Sequence, residues 1–208
     1  MNLQAPTVFV VDDDTSVHRA VSRLLRSAGY DVEAFSGAAE FLDSKRHQQS
    51  PACLILDLQL PDLSGMELQV RLRNLLSALG FVFISGQGDI PTSVEAMKGG
   101  AVDFLQKPFD AETLLSAVAT ALDRSVREDK THREIKEIRE RLVTLTPRER
   151  EVMDLVVHGW RNKQVADELG TVEKTIKVHR GRIMEKMGAG SLAELVRMAE
   201  RVSRETAA

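Results

Sequence analysis

Five short apolar runs alternate with helical patterns through the first 122 residues, and this alternation restricts the fold more than any other feature of the chain. The runs are Thr7–Val11, Tyr30–Ala34, Cys53–Leu56, Phe81–Ser85 and Val102–Leu105. The first, Thr7-Val8-Phe9-Val10-Val11, has the β-branched composition and length of a strand buried on both faces. Helical spacing follows each run: Val17, Val21, Leu24 and Leu25 closed by Gly29, then Ala38–Lys45, Met66–Leu79, Pro91–Lys98 and Asp110–Leu122. This order predicts an α/β doubly wound, five-stranded parallel sheet. Right-handed crossovers then put helices on both faces.

The pattern changes after Leu122. Residues 123–141 hold 13 charged side chains and neither Pro nor Gly, which predicts a solvated helical linker. Ile135, Ile138, Leu142 and Leu145 follow 3-4-3 spacing, a short coiled-coil-like seam. That seam has no apolar member between Val126 and Ile135, so the helix is expected to be weakest, and most able to bend, at 127–134. The remainder reads as all helix. Thr146-Pro147-Arg148-Glu149 is a capping box with proline at the first helical position, and Val152, Leu155 and Val156 line the core face before Gly159. Asn162 is expected to cap a short helix through Leu169, ended by Gly170. A third helix is expected from Val172 to Met187, stopped by Gly188, and Ser191-Leu192-Ala193-Glu194 opens a fourth. Two short helices split by a Gly-containing turn form a helix-turn-helix. The chain thus divides into 1–122, 123–141 and 142–208.

Charge separates the same pieces. Residues 1–122 carry 9 Lys+Arg against 15 Asp+Glu, 123–141 carry 7 against 6, and 142–208 carry 12 against 10. An acidic first part and a mildly basic end imply two different jobs. The single cysteine, Cys53, excludes a disulfide framework and a thiolate metal cluster, and the five scattered histidines argue against zinc. No apolar run approaches the ~20 residues that span a bilayer. The start also lacks the basic region of a signal peptide, so a cytoplasmic chain with no membrane partner is expected.

In an open α/β sheet, ligands sit beyond the carboxyl ends of the strands, where the strand order switches. Asp12, Asp13 and Asp14 follow the first run and Asp57 the third, and a flavodoxin-like order makes those strands neighbours. Four carboxylates would converge, and their repulsion raises pKa values unless a cation joins them. A hard divalent ion such as Mg2+ meets that need with a few carboxylates and waters. Ser85 ends the fourth run with a hydroxyl, and Lys107 follows the fifth with an ammonium. Together these groups suit phosphoryl transfer to an aspartate. Each has an ordinary reading alone: Asp14 as a helix cap, Ser85 as turn chemistry, Lys107 as a solvated side chain before proline. Their placement at consecutive strand ends sets them apart.

Val11-Asp12-Asp13-Asp14, Leu54-Ile55-Leu56-Asp57, Leu60-Pro61-Asp62-Leu63-Ser64-Gly65, Ile84-Ser85-Gly86-Gln87-Gly88-Asp89 and Ala101-Val102-Asp103-Phe104-Leu105-Gln106-Lys107-Pro108-Phe109 together resemble a CheY-like receiver domain of two-component systems. The resemblance implies that Asp57 is the phosphoacceptor. It also implies Mg2+ bound by Asp13, Asp57 and the Gln59 backbone carbonyl, with Asp12 acting largely through water. Ser85 and Lys107 would contact the phosphoryl group, Phe104 would be an aromatic switch, and the Lys107-Pro108 bond would be cis. Phosphorylation would draw Ser85 inward and vacate space that Phe104 fills. The chain departs from many relatives at Leu79-Gly80, before the fourth run, where they carry a proline and a slightly longer loop.

In the helix expected at 172–187, Val172, Ile176, Ile183 and Met187 share a stripe that should face the core. Lys174, Lys177, Arg180 and Arg182 project elsewhere, within reach of phosphates or base edges. A basic face alone is commonly just solvated, but its place as the second helix of a helix-turn-helix points to DNA. Leu145-Thr146-Pro147-Arg148-Glu149-Arg150-Glu151-Val152, Asn162-Lys163-Gln164-Val165-Ala166, Lys174-Thr175-Ile176-Lys177-Val178-His179-Arg180 and Met184-Glu185-Lys186-Met187 look like the LuxR/FixJ-type DNA-binding domain. That implies Lys177 and Val178 near base edges and Lys163, Thr175 and Lys186 on the DNA backbone. Val172 stands where a serine often caps, leaving that to Thr171 or to a weak cap. Gly181 stands where a long side chain often touches DNA, leaving that to Arg180 or Arg182. His179 reads as packed or backbone-bonded, and Trp160 as a cover for the apolar edge after Gly159.

A receiver joined to this helix-turn-helix resembles the FixJ/NarL family of response regulators. The resemblance implies a transcription regulator, not an enzyme, phosphorylated on Asp57 by a sensor histidine kinase with Mg2+. It would then form a homodimer through the face of its fourth helix, fifth strand and fifth helix. Paired half-sites in promoter DNA, RNA polymerase nearby, and a second dimer contact through 191–202 complete the picture. Two other readings stay open. One is a phosphorylation-independent regulator whose receiver only dimerises or docks. The other is a phosphohydrolase acting on its own phosphoryl group, with Gln59 and Gln87 tuning the phosphoryl lifetime.

Overall fold

The computed structural model describes residues 6–49, 51–75, 78–86 and 90–206. The chain separates into two compact units, Met1–Lys130 and Thr131–Ala208. The first contains β1 (Thr7–Val11), α1 (Thr15–Ser27), β2 (Asp31–Phe35), α2 (Ala38–Asp43), a 3-10 turn at Arg46–Gln48 and β3 (Ala52–Asp57). It continues with α3 (Gly65–Asn74), β4 (Leu79–Ser85), α4 (Ile90–Lys98), β5 (Asp103–Gln106) and the larger part of α5 (Ala111–Val143). All strand pairs are parallel, in the order β2-β1-β3-β4-β5. Side chains alternate across a strand, and β1 divides accordingly. Phe9 and Val11 join a core with Phe41, Leu54, Leu68 and Phe83, while Val8 and Val10 join one with Leu25, Ile55, Leu114 and Val118. Cys53 lies fully buried on β3, where burial pushes its thiol pKa up. The expected doubly wound sheet is present.

Two boundaries differ from the sequence reading. The helix expected over Met66–Leu79 ends at Asn74, and Leu79 instead begins β4, paired with Ala52. Leu79-Gly80 is therefore the start of the strand, not a loop before it. Gly80 is required there because a Cβ would collide with the Ala121 carbonyl of α5. Next to this contact the buried Ser125 hydroxyl accepts from the Ala52 N–H at 2.9 Å and donates to the Ala78 carbonyl. Helix α5 is thus stitched to the starts of β3 and β4 three residues beyond the expected domain edge at 122. It runs as one helix through 127–134, although none of residues 126–134 is buried.

The second unit contains the end of α5 with α6 (Pro147–Val157), α7 (Asn162–Glu168), α8 (Glu173–Met187) and α9 (Leu192–Thr206). Ile138, Leu142 and Leu145 pack with Val152, Val156, Val165, Ile176, Ile183 and Leu195, so these three residues of the expected seam serve this unit's own core, while Ile135 is buried but is not part of that cluster. Thr146 and Glu149 form the expected capping box. Asn162 does not cap α7. It is the first helical residue, and Gln164 Oε1 accepts from the preceding Arg161 N–H at 2.9 Å. Val172 is the N-cap of α8 without a side-chain bond, and 64% of it is exposed, contrary to the expected core stripe. Its extended backbone precedes the helix, so its side chain does not follow the row of Ile176, Ile183 and Met187. Among the described residues, no helix is long and apolar enough to cross a membrane.

Candidate functional site

The parallel register sets the ends of β1, β3, β4 and β5 side by side. Val11 pairs with Leu56, Asp57 with Ile84, and Ser85 with Gln106. Beyond those ends Asp12, Asp13 and Asp57 each offer a carboxylate oxygen within 4.8 Å of the others. Asp12 and Asp57 are buried, whereas Asp13 is exposed. Asp14 leaves this group: its carboxylate accepts from the Ser16 N–H at 2.7 Å and caps α1. Three carboxylates converge, not four.

Lys107 closes the inner side. Its Nζ donates to Asp12 Oδ2 and Asp57 Oδ2, both at 2.6 Å, and its backbone N–H donates to the Ser85 carbonyl at 2.8 Å. The Lys107-Pro108 peptide is cis, as expected. Burial raises the Asp12 pKa, and the hydrogen bond from Lys107 offsets only part of that. Burial works against the Lys107 ammonium, but bonds and attraction from Asp12 and Asp57 outweigh it and raise its pKa. Three carboxylates against one ammonium leave a formal charge of −2 on the cluster. Charge and oxygen donors both fit Mg2+, which accepts a small number of carboxylates and retains water.

The loop after β3 is held at both ends. The Gln59 N–H donates to Asp57 Oδ1 at 3.0 Å. Asp62 accepts from the Ala38 and Ala39 N–H groups at 3.2 and 2.7 Å, and these bonds hold its pKa down. Ser64 and Glu67 form a capping box that starts α3. A Cβ at Gly65 would collide with the Asp57 backbone carbonyl, so only glycine lets α3 start this close. Asp62 and Gly65 thus position the site, and their signal in the sequence is the run Asp62-Leu63-Ser64-Gly65 a few residues after the Asp57 strand. Ser85 is fully buried, and Phe104 is half-buried and stacks on Phe83 with ring centroids 6.4 Å apart. Gln87 lies outside the described residues. Beside the cluster, Val17, Val21, Leu24, Pro108, Phe109 and Leu114 line an apolar groove of about 380 Å³.

In the second unit α7 and α8 form the helix-turn-helix. Lys163, Lys174, Lys177 and Arg182 are exposed, Val178 is 49% exposed and Thr175 is half-buried. Lys177 Nζ stands 3.9 Å from the exposed Glu173 carboxylate, one turn earlier on the same helix. Arg180 turns inward and donates to Asn162 Oδ1 at 2.9 Å. Lys186 is also turned inward: its Nζ donates to Glu149 Oε2 at 2.6 Å and to the Thr144 carbonyl at 3.0 Å. Glu149 is buried, and the Lys186 bond together with the Thr146 N–H pulls its pKa to about 2. His179 packs with Nδ1 buried and not hydrogen-bonded, and Trp160 is 37% exposed after Gly159.

The chain matches two families in succession. Residues 8–119 match the response regulator receiver domain, and residues 143–199 match the bacterial regulatory proteins of the luxR family. Nodulation protein W of Bradyrhizobium diazoefficiens is 48% identical over 193 residues, covering 93% of this chain and 85% of that protein. FixJ of Azorhizobium caulinodans, a transcriptional regulatory protein, is 40% identical over 192 residues, covering 92% and 90%. Among solved structures, the response regulator StyR superposes with a TM-score of 0.77 at 44% identity, covering 95% of this chain and 100% of that one.

Proposed function

Because this chain belongs to the two-component response regulators that join a receiver domain to a LuxR-type DNA-binding domain, and regulates transcription as they do, we propose that phosphorylation of Asp57 controls its binding to DNA. The observation that carries the proposal is the buried pair Asp12 and Asp57 bridged by Lys107, with Asp13 beside them. A sensor histidine kinase supplies the phosphoryl group. An Asp57 oxygen attacks phosphorus, the acyl phosphate forms, the phosphorus–nitrogen bond breaks, and the imidazole leaves. Asp12, Asp13, Asp57 and the Gln59 carbonyl would hold Mg2+, which when bound would supply positive charge to the phosphoryl oxygens. Lys107, already bonded to Asp57, donates to the new phosphoryl oxygens, and Ser85 at the end of β4 adds a hydroxyl. The groove beside Lys107 offers the kinase an apolar landing surface.

Phe104 then moves as Ser85 is drawn inward, and the α4–β5–α5 face changes shape. Helix α4 supports this reading: Ala96 is its buried residue, while Ile90, Val94 and Met97 are exposed along one stripe. A homodimer would cover that stripe. In the proposed division, 1–122 is the receiver, 123–141 the linker, and 142–208 the DNA-binding domain. Lys177 and Val178 approach base edges; Lys163, Lys174, Thr175 and Arg182 touch phosphates. Arg180 and Lys186 reach DNA only by leaving Asn162 and Glu149. Two chains bind paired half-sites in a promoter, alongside RNA polymerase.

The test pairs wild type with Asp57→Ala in Mg2+ and acetyl phosphate, following intact mass and sedimentation. A Mg2+-dependent phosphoryl adduct and dimer, both absent from the variant, are expected. A wild-type chain that takes no phosphoryl group but binds DNA equally well would move the assignment to a phosphorylation-independent regulator with a docking receiver.

A further inference from the structure

We infer that Arg141, near the end of α5, is a positioning residue for DNA recognition: it holds the C-terminus of α8 and makes the last turns of α5 part of the DNA-reading apparatus. The inference rests on the assignment of α8 as the DNA-reading helix. Its geometry lies wholly within the second unit. Glu134, Ile138 and Arg141 share one face of α5 at i, i+4 and i+7. Glu134 pairs with Arg201 of α9 at 2.7 Å, Ile138 enters the unit's core, and Arg141 NH1 donates to the Met187 carbonyl of α8 at 3.0 Å.

A helix end leaves its last carbonyls without helical partners. At α8 the Gly188 and Ala189 N–H groups cover the Glu185 and Met184 carbonyls at 3.1 and 2.9 Å, and Arg141 covers that of Met187. Gly188 adopts φ +64, and a Cβ there would lie 3.0 Å from Arg141 NH1, so the guanidinium lies close against the chain reversal. A cation at this end also opposes the helix dipole. From the same turn, Lys186 reaches back to Thr144 and Glu149. Two cations therefore pin the end of α8 to the α5–α6 junction.

The consequence is leverage. A 15-residue helix is about 22 Å long, and a tilt of about 10° about its C-terminal end carries its N-terminal end by roughly 4 Å. Lys177 and Val178 stand in the half of α8 away from Arg141, and base-edge contacts tolerate displacements of only about 0.5 Å. Phosphate contacts made by flexible lysines tolerate more. Releasing Arg141 therefore erodes sequence-specific binding before non-specific binding.

The test uses full-length Arg141→Met, Arg141→Lys and wild type, each in Mg2+ and acetyl phosphate with the phosphoryl adduct verified by intact mass, against a duplex selected by the wild-type chain from a random pool under the same conditions, and against a scrambled duplex. Trp160 fluorescence verifies that each protein is folded at the assay temperature. Arg141→Met is expected to lose at least tenfold affinity for the selected duplex and less than twofold for the scrambled one. Arg141→Lys, which keeps a cationic donor, is expected to recover most of the loss and decides the matter if Arg141→Met does not fold. Folded Arg141→Met with unchanged discrimination overturns the inference. So does an equal loss on both duplexes, which would make Arg141 a phosphate contact or a stabiliser only. If wild type carrying the phosphoryl group selects no sequence, the DNA-reading assignment of α8 fails, and the inference falls with it.

Discussion

Lys186 and Lys177 carry the same ammonium on the same helix, yet one is bonded to a buried glutamate at 2.6 Å and the other stands 3.9 Å from an exposed one. Sequence cannot separate them, because the difference lies in what faces them from α6. The signal available was Glu149 itself, an acid at the third position of a capping box, where it also meets the end of another helix. The receiver acids were legible because strand ends converge by topology, whereas α8 has no comparable rule for its polar face. Glu149 makes a pH prediction. Its folded pKa of about 2 lies below the ordinary 4.5 of an unfolded glutamate. Its stabilising contribution is therefore complete above about pH 5 and is lost as pH falls from there toward 2. Glu149→Gln should cost on the order of 2 kcal/mol near neutrality, less where solvent reaches Lys186, and should flatten the acid limb of the Trp160 unfolding curve. Lys177→Ala makes the opposite case: no stability change, and a loss of about 1–3 kcal/mol in binding to the preferred sequence, with relaxed specificity at the base it approaches.

Among the elements, strands were more legible than helix ends. All five apolar runs appear as strands shifted by at most two residues, since buried parallel strands leave little choice of composition. The end of α3 was not legible, because Leu75 and Leu79 continue a helical spacing although Leu79 pairs with Ala52 in the sheet. What decides it is tertiary: α5 lies against Gly80. Gly80→Ala is expected to destabilise the first unit by about 2–3 kcal/mol in urea titrations, since backbone faces backbone and neither yields easily. Gly65→Ala would press instead on Asp57, and should slow acetyl-phosphate labelling more than it lowers the unfolding midpoint. The middle of α5 gives a prediction of its own. With no buried side chain from 126 to 134, its amides should exchange faster than those of 111–125 or 135–143 in a hydrogen-exchange time course.

For the whole molecule, composition located the change of character near residue 122 but could not see how far packing follows it. Ser125 is tied to β3 and β4, and Ile138 belongs to the second core, so α5 contributes to two cores through residues that the charge pattern assigns to a linker. Charge counts respond to solvent, whereas one buried hydroxyl or isoleucine in a charged stretch leaves them unchanged. If phosphorylation acts through dimerisation, DNA titrations of phosphorylated chain should be displaced to lower concentration and steepened, and unphosphorylated chain should approach them as concentration rises. Cys53 has a practical bearing on every such experiment. The only cysteine of the chain sits fully buried in the middle strand, with its thiol held protonated, so modifying reagents cannot reach it while the sheet is closed. A cysteine introduced at an exposed position, as in Lys130→Cys, would be the single addressable handle for a dye or spin label without replacing the native Cys53. Slow modification of Cys53 itself would then count, one molecule at a time, how often the receiver opens.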